Sequence, residues 1–346
     1  MLTLINFFKL IRLSNILIMG LTMCAVHLMF NVEILGHCHI MEDQYAYLGL
    51  KNDGIEQTYL EILFTLFFNL FKQFDFILLL LSVFFIAAGG NIINDYFDVK
   101  ADRVNKPDRL IIDKYIKRRW AIILNWTFNG VGFLIAMYLS IKLDNWWIVS
   151  IAFLTINLLY FYSAVFKRKF LIGNIVVALL TAIVPIYVYL YLHFSTLPIS
   201  RSFFYDDDFK FLGILMYAAF AFLFNLIREI IKDMADVKGD LLLKSQTLPI
   251  RFGFAKTKIV VSILFVITLI PIWFYYIMYL LFGGLVPDFS ASLEIFVLLI
   301  FFVGVFHLAS FIIMLSKNQR KYYLLSANLI KIAMLMGILS ICFYEF

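Results

Sequence analysis

The sequence predicts an all-α polytopic membrane protein with nine transmembrane helices, and three observations predict it. Hydrophobic residues make up 63% of the 346-residue chain and charged residues only 15%, more apolar surface than a soluble globular protein needs. Apolar runs of about 20 residues recur along the chain, the length a helix needs to cross a bilayer. The charges are also distributed unevenly. With a cytoplasmic N-terminus, 23 of the 29 Lys and Arg fall in the N-terminal segment and the even-to-odd connections, and five fall on the opposite side. This positive-inside pattern predicts a multi-pass cell-membrane protein with its C-terminus on the outer side. The net charge of +6 is then a topology signal and not a nucleic-acid footprint.

Taken in order, the spans fall at roughly 8–30, 75–95, 120–141, 145–165, 171–194, 209–231, 259–282, 291–315 and 322–344. The first is too long, and lacks the small-residue cleavage site, to be a removable signal peptide. Between the first and second spans lies a long outer-side insertion, residues 31–74, in an otherwise single-domain chain of residues 1–346. Its stretch "LEILFTLFFNLF" at 60–71 is too short to span and predicts an interfacial helix. The connection between spans five and six is acidic, with "YDDDF" at 205–209. Cys24, Cys38 and Cys342 have no paired spacing, so no disulfide framework is indicated. "HCH" at 37–39 lacks a partner motif, and adjacent residues do not converge on one ion, so it carries no metal assignment.

Two cytoplasmic connections differ from the rest: "NIINDYFDVKADRVNKPDR" from residue 91 and "NLIREIIKDMADVKGDLLLKSQTLP" from residue 225. If each continues the preceding helix at about 100° per residue, Asp95, Asp98 and Asp102 fall within about 60° of arc, with Asn91 among them and Asn94 just to the side. Glu229, Asp233, Asp236 and Asp240 repeat the pattern, at the same offsets as Asn91, Asp95, Asp98 and Asp102. Gly239 is expected to end the second helix, which makes Asp240 its least secure member. Asp and Lys at helix ends are ordinarily a solvated face. Two clusters with matching offsets, on the same predicted side and each at the end of a span, argue for chemistry instead.

Like charges on one face repel and call for a cation. Carboxylate oxygen is the hard ligand Mg²⁺ prefers, together with waters and substrate phosphates. Lys100, Arg103, Lys106 and Arg109 follow the first cluster, and Arg228, Lys232, Lys238 and Lys244 surround the second. Such cations suit diphosphate oxygens. Carboxylates for metal and cations for phosphate, beside an apolar bundle, fit a substrate with a diphosphate head and a hydrocarbon tail. A prenyl diphosphate has that form.

These residues resemble the UbiA-type intramembrane prenyltransferase superfamily. Its NDxxDxxxD signature is matched by Asn94, Asp95, Asp98 and Asp102, and its DxxxD by Asp236 and Asp240, with Asp233 one turn earlier. "NKPDR" at 105–109, the Tyr-Ser-x-x-x-Lys stretch within "YFYSAVFKRKFLIGN" at 160–174, and "IRLSN" at 11–15 are similar too, although Leu13 stands where Pro is common. The resemblance implies a nine-helix bundle around a central cavity that uses Mg²⁺ to transfer a prenyl group to a hydrophobic acceptor. By carry-over, Asp95, Asp98, Asp102, Asp233, Asp236 and Asp240 are the metal ligands. Asn94, Arg103, Lys106, Arg109, Lys167, Arg228, Lys232 and Asn15 become substrate-binding candidates. Tyr160 and Tyr162 are candidates for stabilising an allylic cation. The second acidic stretch, followed by "TLP", is most similar to the branch that geranylgeranylates geranylgeranylglyceryl phosphate. An aromatic quinone precursor is the alternative acceptor.

Outside that class, a transporter is the competing reading, because intramembrane charges mark such pathways. The acids here cluster on one side, and Lys331 is the exception, ten residues into the ninth span. It either faces the cavity or partners a buried polar atom. A soluble-type prenyl synthase shares the aspartate logic but not nine apolar spans. Nothing in the sequence specifies an oligomeric state.

Overall fold

The computed structural model describes residues 4–38, 74–105, 107, 110–195, 207–282 and 291–343. The interfacial helix expected at 60–71, and with it most of the 31–74 insertion, lies outside the described residues. The described chain is helical: α1 Leu4–Leu10, α2 Leu13–Cys38, α3 Phe74–Asn105, α4 Arg118–Lys142, α5 Trp146–Ala164, α6 Ile172–Ser195, α7 Asp207–Leu242, α8 Leu248–Phe282, α9 Ala291–Ser316 and α10 Arg320–Ile341. A single 3₁₀ turn, Phe166–Arg168, links α5 to α6. Among the described residues, eight helices are long and apolar enough to cross a membrane, and α1 with the first part of α2 makes a ninth, bent by 61°.

Three sequence expectations change. The first span is not one continuous helix: it breaks at Ile11 and Arg12, where Arg12 takes the left-handed conformation at φ 53°. The seventh begins well before residue 259, at Leu248, and kinks at Gly253, whose φ of 79° a glycine adopts without a steric penalty. Gly239 does not end α7, which runs on to Leu242 and keeps Asp240 helical. Both acidic stretches do continue their spanning helices, as the face construction requires.

The helices α3 and α4 run antiparallel. Lys142 at the end of α4 pairs with Asp75 at the start of α3, 2.6 Å apart, at the end of the bundle opposite the acidic clusters. In lipid there is little hydrophobic drive between helices, so close packing and polar contacts hold them together. Ser82 donates to the Gly132 carbonyl at 2.8 Å, and a Cβ at Gly132 would come within 2.9 Å of the Ser82 carbonyl, so α3 and α4 approach closely only because residue 132 has no side chain. Asn125 donates to the Gly89 carbonyl, Asn225 to Thr181, and Ser310 bonds Ser326 between α9 and α10. At the acidic end, Leu10 and Ile11 pack with Ala88, Ile92, Val99 and Ala121, seating the break between α1 and α2 against α3 and α4. An apolar groove of about 400 Å³ between α2 and α3 starts at Ile16, directly beyond Asn15.

Candidate active site

The site is assembled at one end of the bundle from segments far apart in sequence. The last three turns of α3 supply Asn94, Asp95, Asp98 and Asp102, and the corresponding part of α7 supplies Arg228, Glu229, Lys232, Asp233, Asp236 and Asp240. Asn105 joins the two helices: its Nδ2 donates to the Asp236 carbonyl at 2.9 Å, and its Oδ1 accepts from the Gly239 amide at 3.0 Å. The approach needs a glycine, since a Cβ at residue 239 would fall 2.9 Å from the Ala101 carbonyl.

Cations from other elements close over the first cluster. The break between α1 and α2 points Arg12 at Asp95, with Nη2 2.5 Å from Oδ1, and Asp98 and Asp102 also lie within its electrostatic reach. Asn91 holds this break in place by donating to the Ile11 carbonyl at 2.8 Å. From the 3₁₀ turn, Lys167 forms an ion pair with buried Asp98, and it reaches Asn94 Oδ1 at 3.4 Å. Burial is the largest single influence and lowers the Lys167 pKa, but the charge and hydrogen bond of Asp98, together with Tyr162, outweigh it and hold the ammonium above the ordinary lysine range.

The second cluster is held in its own way. Asn174 of α6 donates to Asp233 Oδ2 at 2.8 Å, and Arg320, at the start of α10, lies 3.3 Å from Asp236 Oδ1. Asp240 is buried. Lys232 contacts both Glu229 oxygens at 2.8 Å and Arg228 contacts one at 2.9 Å. Glu229 is thus neutralised by its own helix and differs in kind from the aspartates that share its face. The clusters also sense one another: Asp98, Lys167, Glu229 and Asp233 all lie within electrostatic range of the Tyr162 hydroxyl, and Arg12 within range of Lys232.

Residues 62–321 match the model of the UbiA prenyltransferase family. The chain belongs to this family. Among its relatives, the digeranylgeranylglyceryl phosphate synthase of Sulfurisphaera tokodaii is 36% identical over 216 residues, 61% of this chain and 71% of that protein. The synthase of the same name from Pyrococcus horikoshii is 37% identical over 194 residues, 56% of this chain and 62% of its own. In fold, a solved structure described for digeranylgeranylglyceryl phosphate synthase in membranes superposes with a TM-score of 0.55, at 21% identity, covering 98% of this chain and 97% of the other. A UbiA homologue from Archaeoglobus fulgidus, bound to DMAPP and Mg²⁺, superposes with a TM-score of 0.53, at 16% identity, over 96% of this chain and 98% of that one. The chain is accordingly a multi-pass membrane prenyltransferase of the UbiA family.

Against the residues expected of a UbiA site, the placement is uneven. Asn94, Asp95, Asp98, Lys167, Arg228, Lys232 and Asp233 are drawn together, with Asp102, Asp236 and Asp240 on the same helix faces. Arg103 turns outward to Asp113, which it shares with Arg118. Tyr160 is exposed and stands edge-on to Phe97, whereas Tyr162 lies among the charges. Lys106 and Arg109 lie outside the described residues. Asn15 is present, engaged by Lys331 at 2.8 Å. Sequence reasoning left Arg12, Asn174 and Arg320 without roles. Arg12 and Asn174 had a signal, since they stand in "IRLSN" and "YFYSAVFKRKFLIGN", whereas Arg320 had none beyond polarity at a helix end.

The donor set suits Mg²⁺ in one specific sense. Its ligands are hard carboxylate oxygens on two adjacent helices, but among the described residues no three His, Cys, Asp or Glu converge into a ready-made cage. That is what an ion held by one or two carboxylates, waters and substrate phosphate requires.

Proposed function

We propose that this UbiA-family enzyme transfers a geranylgeranyl group from its diphosphate to geranylgeranylglyceryl phosphate, with Mg²⁺ as cofactor and diphosphate as the second product. The observation that carries the reading is the convergence of two aspartate-bearing helix ends with Arg12 and Lys167 directly over an apolar bundle. The acceptor rests on the names of the similar synthases and on the resemblance of the second acidic stretch of the sequence to that branch. Mg²⁺, held by one or two carboxylates from Asp95, Asp98 and Asp102 and from Asp233, Asp236 and Asp240, would neutralise charge on the departing diphosphate.

The chain's own residues then divide the work. Arg12 and Lys167, which pair with Asp95 and Asp98, are placed to contact diphosphate oxygens. There they stabilise charge that grows as the donor C–O bond breaks and its electron pair leaves with diphosphate. Asn105 and Gly239 hold the two helix ends at fixed separation, so the clusters are pre-positioned. Tyr162 presents a ring face to the allylic cation. The acceptor hydroxyl oxygen forms the new C–O bond as its proton passes to a site carboxylate. The apolar bundle keeps water from the cation, and the groove beyond Asn15 takes hydrocarbon. Site and N-terminus face the cytoplasm in this reading, supported by the positive-inside bias.

Purified enzyme should release diphosphate only when donor, phosphorylated acceptor and Mg²⁺ are all present, and Asp98→Ala should abolish release. Release that is indifferent to Mg²⁺ and to Asp98 would sink the proposal.

A further inference from the structure

Beneath the ion pairs of the site, the cations outnumber the carboxylates. Lys331 lies eleven residues beyond Arg320 on α10, about 16 Å deeper along the helix. Its Nζ donates to Asn15 Oδ1 at 2.8 Å, and among the described residues no carboxylate pairs with it. The charge nearest in effect is another cation, Arg228. Arg228 gives Nη1 to Glu229, but its Nε is buried without a hydrogen-bond partner. Glu229 is already contacted through both oxygens by Lys232, and Asp233 is bonded by Asn174. Arg228 and Lys232 therefore share Glu229, while Lys331 has only Asn15 as its partner.

Unpaired cations at such depth are costly unless an anion joins them. The donor diphosphate does not suit the position, because Arg12, Lys167 and the aspartates gather it nearer the surface. Reaction chemistry sharpens the point. An allylic cation forms below the diphosphate, and an uncompensated ammonium beside it would raise the barrier. An anionic acceptor removes that penalty and is oriented by the same contact. Asn15, which accepts from Lys331 through Oδ1, keeps Nδ2 as a further donor.

We propose that Lys331 and Arg228, with Asn15, form a subsite for the phosphate monoester of the acceptor, adjoining the diphosphate site. The assignment rests on the function proposed above and names the part of the acceptor that is read. The full-length enzyme in detergent is titrated, without donor, with geranylgeranylglyceryl phosphate, with geranylgeranylglycerol and with a carboxylated aromatic acceptor. Turnover is measured in parallel. Lys331→Gln, which keeps a donor for Asn15, should weaken binding of the phosphorylated lipid about tenfold or more. It should leave the dephosphorylated lipid and the donor KM within about twofold, and Lys331→Arg should restore binding. The subsite is overturned if Lys331→Gln binds the phosphorylated lipid as tightly as the parent, or weakens both lipids equally. It is also overturned if Lys331 governs only the aromatic carboxylate. Lys331-dependent binding without turnover of the bound lipid would uphold the subsite and refute the proposed function.

Discussion

The ion pairs at Asp95 and Asp98 define how single residues act. Each carboxylate is held by a cation from a different segment, Arg12 and Lys167, so the first cluster carries counter-ions that a diphosphate can compete for. Arg12→Ala should raise the donor KM about tenfold with a smaller effect on kcat, as expected for loss of a phosphate contact, measured by steady-state diphosphate release. The Lys167 pKa is raised, so the stability its pair with Asp98 contributes is fully present below the ordinary lysine value. It is lost only as pH rises through the higher folded value. The pH–rate profile of transfer should therefore show no limb from Lys167 between about pH 6 and 9. A Lys167→Met variant that altered the shape of that profile, and not its height alone, would refute this. At this scale the acidic offsets were legible in the sequence because helical periodicity is local. The pairings with cations were not, because Arg12, Lys167 and Arg320 reach their carboxylates across 83, 69 and 84 residues of sequence.

Helix ends are where residue geometry becomes site geometry. Gly239 reads in sequence as a terminator, since glycine commonly ends helices. It instead lies inside α7, where the missing side chain lets Asn105 bridge to α3. Asn105→Ala would leave two backbone groups of α7 without that partner, at a cost of about 1–3 kcal/mol for each group that stays buried and unpaired. The prediction is a lower melting temperature in detergent and a larger loss of transfer than of helix content by circular dichroism. Gly239→Val should reduce transfer at least as strongly, because it forces the helix ends apart. The break between α1 and α2 was equally hidden. Its apolar run looks continuous, and only tertiary contacts, Asn91 to the Ile11 carbonyl and Leu10 into the core, hold the bend.

For the whole molecule, composition alone carried the class: runs of apolar residues specify a polytopic bundle, and basic residues gathered at alternate connections predict its orientation. The cytoplasmic assignment predicts that a cysteine introduced at Lys114, beside the site, is labelled by an impermeant maleimide only after inverted vesicles are prepared or cells are opened. A cysteine at Asp144, between α4 and α5, should be labelled from outside intact cells. The opposite pattern would reverse the topology. Acceptor identity was the least legible feature, because the motifs expected to bind the donor are two short runs, whereas the proposed phosphate subsite draws on residues scattered over α2, α7 and α10.

The most direct measurement is mass spectrometry of products after the enzyme, Mg²⁺ and geranylgeranyl diphosphate are incubated with geranylgeranylglyceryl phosphate and an aromatic quinone precursor in competition. The account predicts digeranylgeranylglyceryl phosphate as the dominant product, with one diphosphate released per transfer. A prenylated aromatic as the only product would contradict it.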